Sequence, residues 1–174
     1  MKKITALSIL AFSLFDFSIS VPIAEAAQAL TAPSALLLDP GTDRILYSRA
    51  PHRKQSPAST AKVMTALVAL DALPLDHWVR ISSRVESVEP SKLYLQGGDR
   101  LKVRDLIKAV LMKSANDAAV ALAIEAAGSE GSFAQKMTEK ARQLGANNTQ
   151  FTNASGLSAD GQYSTAYDLA MIMR

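Results

Sequence analysis

Pro57-Ala58-Ser59-Thr60-Ala61-Lys62 runs straight into Val63-Met64-Thr65-Ala66-Leu67-Val68-Ala69-Leu70, which places a hydroxyl and an amine three residues apart at the start of an apolar stretch. An α-helix turns once every 3.6 residues, so positions i and i+3 share a face and the Lys62 amine reaches the Ser59 hydroxyl. An unprotonated lysine so placed is a base that activates a serine nucleophile. The free N–H groups and positive dipole end of a helix N-terminus favour anionic species at Ser59 and disfavour a protonated lysine. Burial by the apolar run lowers a lysine pKa further. The same residues also read as a capping serine and a solvated lysine, because a chain of this composition contains about one Ser-x-x-Lys by chance. This chain contains one.

A chain of 174 residues with 48% hydrophobic and 20% charged side chains suits one globular domain with a core. Its start is less ordinary. Met1-Lys2-Lys3, an apolar stretch from Ile4 to Phe12, and the small-residue sites Ala24-Glu25-Ala26 and Ala27-Gln28-Ala29 read as a secretory signal peptide over residues 1–29. Cleavage is expected after Ala26 or Ala29, leaving 30–174 as the mature domain. Asp16 interrupts the apolar run, which falls short of the roughly 20 residues a membrane span needs. With no cysteine, the chain has no disulfide, thiol nucleophile or thiolate metal site. The net charge of +3, unchanged by removal of the leader, is too mild to argue for nucleic acid.

Beyond the leader, Ser34–Asp39 and Arg44–Ser48 read as two strands of a hairpin around Pro40-Gly41-Thr42-Asp43. A lone hairpin is marginal and needs further strands or a packed helix. The Ser59 helix is expected to run to Leu73, stop at Pro74 and lie buried at the centre. Leu75–Asp99 reads as an exposed excursion with weak strands at Val79–Ile81 and Leu93–Leu95. Val103, Leu106, Ile107, Val110 and Leu111 recur at helical spacing, and a second helix is expected over Asn116–Ala127, ended by Gly128. Between them, Ser114 and Asn116 sit on a polar turn where they either face a cleft or serve as helix-end polar groups. A third helix is expected from Phe133 to Leu144 behind the capping box Ser132-x-x-Gln135, and Thr165-x-x-Asp168 opens a last one.

Ser59-Thr60-Ala61-Lys62 inside its Pro-Ala…Val-Met-Thr-Ala surroundings, followed by Ser114-Ala115-Asn116-Asp117, resembles the D-alanyl-D-alanine carboxypeptidase family of low-molecular-weight penicillin-binding proteins. Val88–Leu93, Gly97–Arg100, Lys140–Gly145 and Tyr163–Ala170 carry the likeness through nearly the whole mature chain. Two coupled motifs in context outweigh either alone. The resemblance implies an α/β (α+β) beta-lactamase/transpeptidase-like fold, with helices around a central nucleophile helix packed on an antiparallel sheet. It implies that Ser59 attacks the terminal D-Ala-D-Ala bond of peptidoglycan stem peptides and forms an acyl-enzyme. Lys62 would be the base, Ser114 a proton relay to the leaving group, and Asn116 a substrate-binding residue that also helps fix Lys62. Neither metal nor cofactor is implied, beta-lactams are expected covalent inhibitors, and the expected location is the periplasm or cell envelope of a bacterium.

The family's third motif, Lys-Thr-Gly on a strand, occurs nowhere in the 174 residues. That strand binds the substrate carboxylate and lines the cleft opposite the serine, so the chain reads as the N-terminal portion of a transpeptidase-like catalytic domain, with the C-terminal strands missing and doubtful activity alone. Membrane contact is expected only through an anchor beyond Arg174. A D,D-endopeptidase uses the same motifs. A beta-lactamase shares two of them, but Ala115 stands where class A enzymes carry Asp. A non-catalytic penicillin- or peptidoglycan-binding protein is the remaining alternative. His52 and His77 read as surface residues, Trp78 and Tyr94 as packing residues, and Glu86 and Glu89 as a solvated loop face.

Overall fold

The computed structural model describes residues 30–174, and the expected signal peptide lies outside the described residues. Ala32–Arg174 forms one of two units in the chain, the other being Met1–Thr31. Strands β1 (Ala35–Leu38) and β2 (Ile45–Arg49) pair antiparallel, Ala35 opposite Arg49 and Leu37 opposite Tyr47. The turn between them is closed by the Asp39 amide on the Arg44 carbonyl (3.0 Å) and by the Gly41 amide on the Asp39 carboxylate (2.9 Å). These are the two strands expected from sequence.

A single 3₁₀ turn, Ala58–Thr60, leads into helix α1 (Ala61–Ala72). Leu73, forced extended by the proline that follows, ends it at φ −133°, ψ 135°. Helix α1 is central: it packs on α2 (Val103–Lys113), α3 (Asn116–Ala127) and α4 (Glu130–Gln143), and touches α5 (Ala166–Met173). Met64 of α1, Leu106 of α2, Leu122 of α3 and Phe133 and Met137 of α4 are all fully buried between these helices. The inner positions of α3 are largely alanines, including Ala118, Ala119, Ala121 and Ala123. Short side chains let neighbouring helix axes come close. The first hairpin rests on α5 through β1.

Several expectations change. Residues 75–99 are no simple excursion, since Val79, Ile81, Val85 and Leu95 join the core. Strand β3 (Trp78–Arg80) pairs antiparallel with β4 (Arg100–Lys102), and Leu93–Leu95 is not a strand. The amides of Leu93 and Leu95 donate instead to the buried Asp117 carboxylate, at 3.0 and 3.1 Å. Helix α4 begins one turn earlier than Ser132-x-x-Gln135 suggests, because Ser129 accepts from the Ser132 amide at 3.1 Å and is the true cap. Thr165 caps α5 as expected, accepting from the Asp168 amide at 3.0 Å. Asp168, however, spends its carboxylate on the Asn148 amide and the Thr149 hydroxyl. Trp78 and Tyr94 are exposed rather than packed, with Arg100 and Lys102 over the indole and Lys92 over the phenol. No described helix is long and apolar enough to cross a membrane.

Candidate active site

Three of the four residues singled out from sequence meet at one point. Ser59 lies in the 3₁₀ turn and is exposed, while Lys62, in the first turn of α1, is only 3% exposed. The serine therefore faces solvent with the amine behind it. Lys62 Nζ lies 3.2 Å from Ser59 Oγ, the i, i+3 approach expected of a helix start. Ser114 ends α2 in the left-handed region (φ 55°), which turns its side chain back so that Oγ donates to Ser59 Oγ at 2.9 Å. Ser59 thus sits between an amine and a second hydroxyl.

Lys62 Nζ also donates to the Ser155 carbonyl at 2.6 Å. No carboxylate among the described residues pairs with it. Burial holds its pKa below the ordinary 10.5. The carbonyl takes one amine hydrogen, which leaves a neutral nitrogen's lone pair free to point at the Ser59 hydroxyl. An amine placed in this way can take a proton from a serine hydroxyl without a histidine or a metal. An open depression of about 310 Å³ lies in front, lined by Ser59, Lys62, Ser114, Val110, Leu111 and Met173 among others. Leu111, one of the residues that recur at helical spacing, is half-exposed there.

Asn116 is brought to the same turn but not onto Lys62. Its side-chain nitrogen donates to the Glu89 and Pro90 carbonyls, at 2.9 and 3.1 Å, and its backbone amide to Ser91 O at 2.7 Å. Ser91 Oγ in turn donates to the Lys113 carbonyl at 3.1 Å. With Asp117 holding Leu93 and Leu95, the 113–117 turn and the 89–95 segment are tied together along their length. Sequence reasoning missed the contacts of Asp117 and Ser155. Asp117 carried a signal, a carboxylate beside Ser-x-Asn at the first turn of a helix, whereas a backbone carbonyl such as that of Ser155 leaves no letter to read.

The fold and this site define a class by their geometry: an exposed serine at a helix start, a buried lysine one turn after it and a second serine hydroxyl from a neighbouring turn. Residues 21–174 match the family model described as D-alanyl-D-alanine carboxypeptidase, peptidase S11, and the chain belongs to that family. It is 37% identical over 148 residues to the D-alanyl-D-alanine carboxypeptidase DacF of Bacillus subtilis, a match covering 82% of this chain and 38% of that protein. It is also 37% identical over 148 residues to a D-alanyl-D-alanine endopeptidase of Pseudomonas aeruginosa, covering 84% of this chain and 47% of the relative. The crystal structure of the D-alanyl-D-alanine carboxypeptidase DacD from Francisella tularensis superposes with a TM-score of 0.79 at 34% identity, covering 83% of this chain and 36% of that one. The chain thus spans less than half the length of these relatives.

Proposed function

We propose that the protein is a serine-type D-Ala-D-Ala carboxypeptidase acting on peptidoglycan stem peptides. The observation that carries this is the position of Ser59 Oγ between Lys62 Nζ (3.2 Å) and Ser114 Oγ (2.9 Å), with the lysine buried. Ser59 Oγ attacks the carbonyl of the terminal D-Ala-D-Ala bond while its proton passes to Lys62. The C–N bond then breaks, and Ser114 relays a proton to the leaving D-alanine nitrogen. Water hydrolyses the acyl ester and returns Ser59. Asn116 holds the 89–91 segment with its nitrogen, so contact with a substrate amide would use its side-chain oxygen. Beta-lactams, which present a reactive carbonyl to the same hydroxyl, would trap Ser59 as an ester.

A fluorescent penicillin tests this reading. Labelling that disappears in Ser59→Ala supports it, and a well-folded protein that takes no label overturns it in favour of a non-catalytic binding role. The endopeptidase reading is favoured by the Pseudomonas relative. Release of D-alanine from monomeric stem peptides without cleavage of crosslinked ones separates the two. Because Lys-Thr-Gly is missing from the 174 residues, we expect these alone to turn over slowly, by on the order of 100-fold or more if an oxyanion donor is lost with it. Residues 1–29 are proposed to direct residues 30–174 to the periplasm or cell envelope. An exported protein beginning at Ala27 or Leu30 supports this, and one still beginning at Met1 contradicts it.

A further inference from the structure

We propose that Gly156 is a positioning residue: its missing side chain is what allows the Ala58–Ser59 turn and the Ser155 carbonyl to close on Lys62 from opposite sides. The proposal rests on the reading of Ser59 and Lys62 as nucleophile and base.

Gly156 is buried, at φ +81°, where L side chains are strained. A Cβ placed there would meet the Ala58 carbonyl oxygen at 1.9 Å, its carbon at 2.6 Å and the Ala61 Cβ at 3.1 Å. Two of these atoms are backbone, so neither can swing aside. The Ala58 carbonyl is itself fixed, because it accepts the Ala61 amide at the start of α1. Ala58 also lies in the left-handed region, at φ 47°, an uncommon conformation for a residue with a Cβ. That conformation immediately precedes Ser59.

The residue before Gly156 supplies the other half. Ser155 gives its carbonyl to Lys62 Nζ at 2.6 Å. Consecutive residues of one turn therefore touch both partners of the pair: Gly156 the backbone that carries Ser59, Ser155 the amine of Lys62. The turn is held from behind by Asn153, whose side-chain oxygen accepts from the Gly156 amide at 2.7 Å and whose nitrogen donates to Leu157 O at 2.8 Å. Glu130 accepts the Ala154 amide at 3.0 Å. A methyl group on Gly156 has to push the Ala58–Ser59 turn away from Lys62, or carry the Ser155 carbonyl off the amine. A misplacement of about 1 Å costs on the order of 100-fold in rate.

Gly161 provides a matched control. It lies in the same connection at φ +75°, so Gly161→Ala carries similar backbone strain. A Cβ there meets only side-chain atoms at 3.4 and 3.9 Å. The experiment measures the titration of the Lys62 side chain by NMR, in the full chain labelled with ¹³C-lysine, and alongside it the rate of Ser59 acylation by a fluorescent penicillin. In Gly156→Ala, Lys62 is expected to titrate closer to its ordinary value than in the parent, because displacement of the turn opens the amine to water. Acylation is expected to fall about 100-fold. Gly161→Ala should leave both within about threefold, the scale of ordinary surface effects. The proposal is overturned if Lys62 titrates in Gly156→Ala as in the parent, or if Gly161→Ala changes it equally. Should Gly156→Ala fail to fold, Asn153→Ala loosens the turn without inserting an atom. A shift of Lys62 in that variant supports the proposal and its absence overturns it. A parent chain that takes no penicillin counts against the functional reading alone, since the NMR titration needs no turnover.

Discussion

Helix α1 and strand β2 are both rich in apolar residues, yet they meet opposite fates. Ala61, Lys62, Met64, Thr65, Ala66, Val68 and Ala69 of α1 are buried, whereas every residue of β2, from Ile45 to Arg49, is exposed. Leu37 is 55% exposed on the facing strand. The helix has four other helices around it to exclude water, while the hairpin has one helix, α5, on one side. The difference teaches where the described residues are self-sufficient. Ser59 and Lys62 stand on a helical core packed on several sides, and the hairpin is a two-stranded sheet whose apolar side chains gain little from where they are.

The largest expected effect breaks the buried side. Lys62→Ala should slow acylation of Ser59 by 100- to 10,000-fold, on the order of general-base losses elsewhere, with the fold intact by circular dichroism. In the parent, acylation should rise with pH on one ionisation whose midpoint lies below 10.5, since only the neutral amine accepts the proton. The sign for stability follows from the same shift. The unfolded chain binds the Lys62 proton more tightly than the folded one, so this group's contribution to unfolding free energy rises with pH between the lowered value and 10.5. A rate that falls over that range would remove Lys62 as the base.

Next in size is a pair of deletions that sets core against edge. Phe133→Ala removes a fully buried ring and should cost about 3–5 kcal/mol in denaturant unfolding. Leu46→Ala, half-exposed on β2, should cost within about 0.5 kcal/mol. Equal costs would mean that the hairpin is packed after all. The smallest effect separates two serines three residues apart. Ser129→Ala should cost about 1 kcal/mol as the lost cap of α4, and Ser132→Ala a few tenths.

The polar turn before Asn116 and the left-handed Gly128 made the bounds of α3 legible almost to the residue. The proline after Leu73 did the same for the end of α1. Ser59, Lys62 and Ser114 were legible because their chemistry is carried by side-chain identity and spacing. What stayed hidden depends on long-range backbone groups. Leu93–Leu95 reads as a strand because its residue types suit one, but its amides donate to a carboxylate more than twenty residues away instead of to a neighbouring strand. Ser132-x-x-Gln135 has the right letters for a cap, but α4 starts at Glu130 and Ser129 is the residue that accepts the Ser132 amide. The contacts of Asn116 with the 89–91 segment were hidden for the same reason: that segment is neighbouring in space and distant in sequence.

That carboxylate has a consequence for motion. The amides of Leu93 and Leu95 belong to no helix or strand, and Leu93 is partly open to solvent, yet both end on Asp117 in the first turn of α3. Their exchange with deuterium is expected to be slower than the loop's own exposure suggests, because each bond to the carboxylate must break first. Residues 89–95 and the Ser114 turn share these bonds, so their amides are expected to exchange together, and Asp117→Asn should release the loop that flanks the hydroxyl beside Ser59.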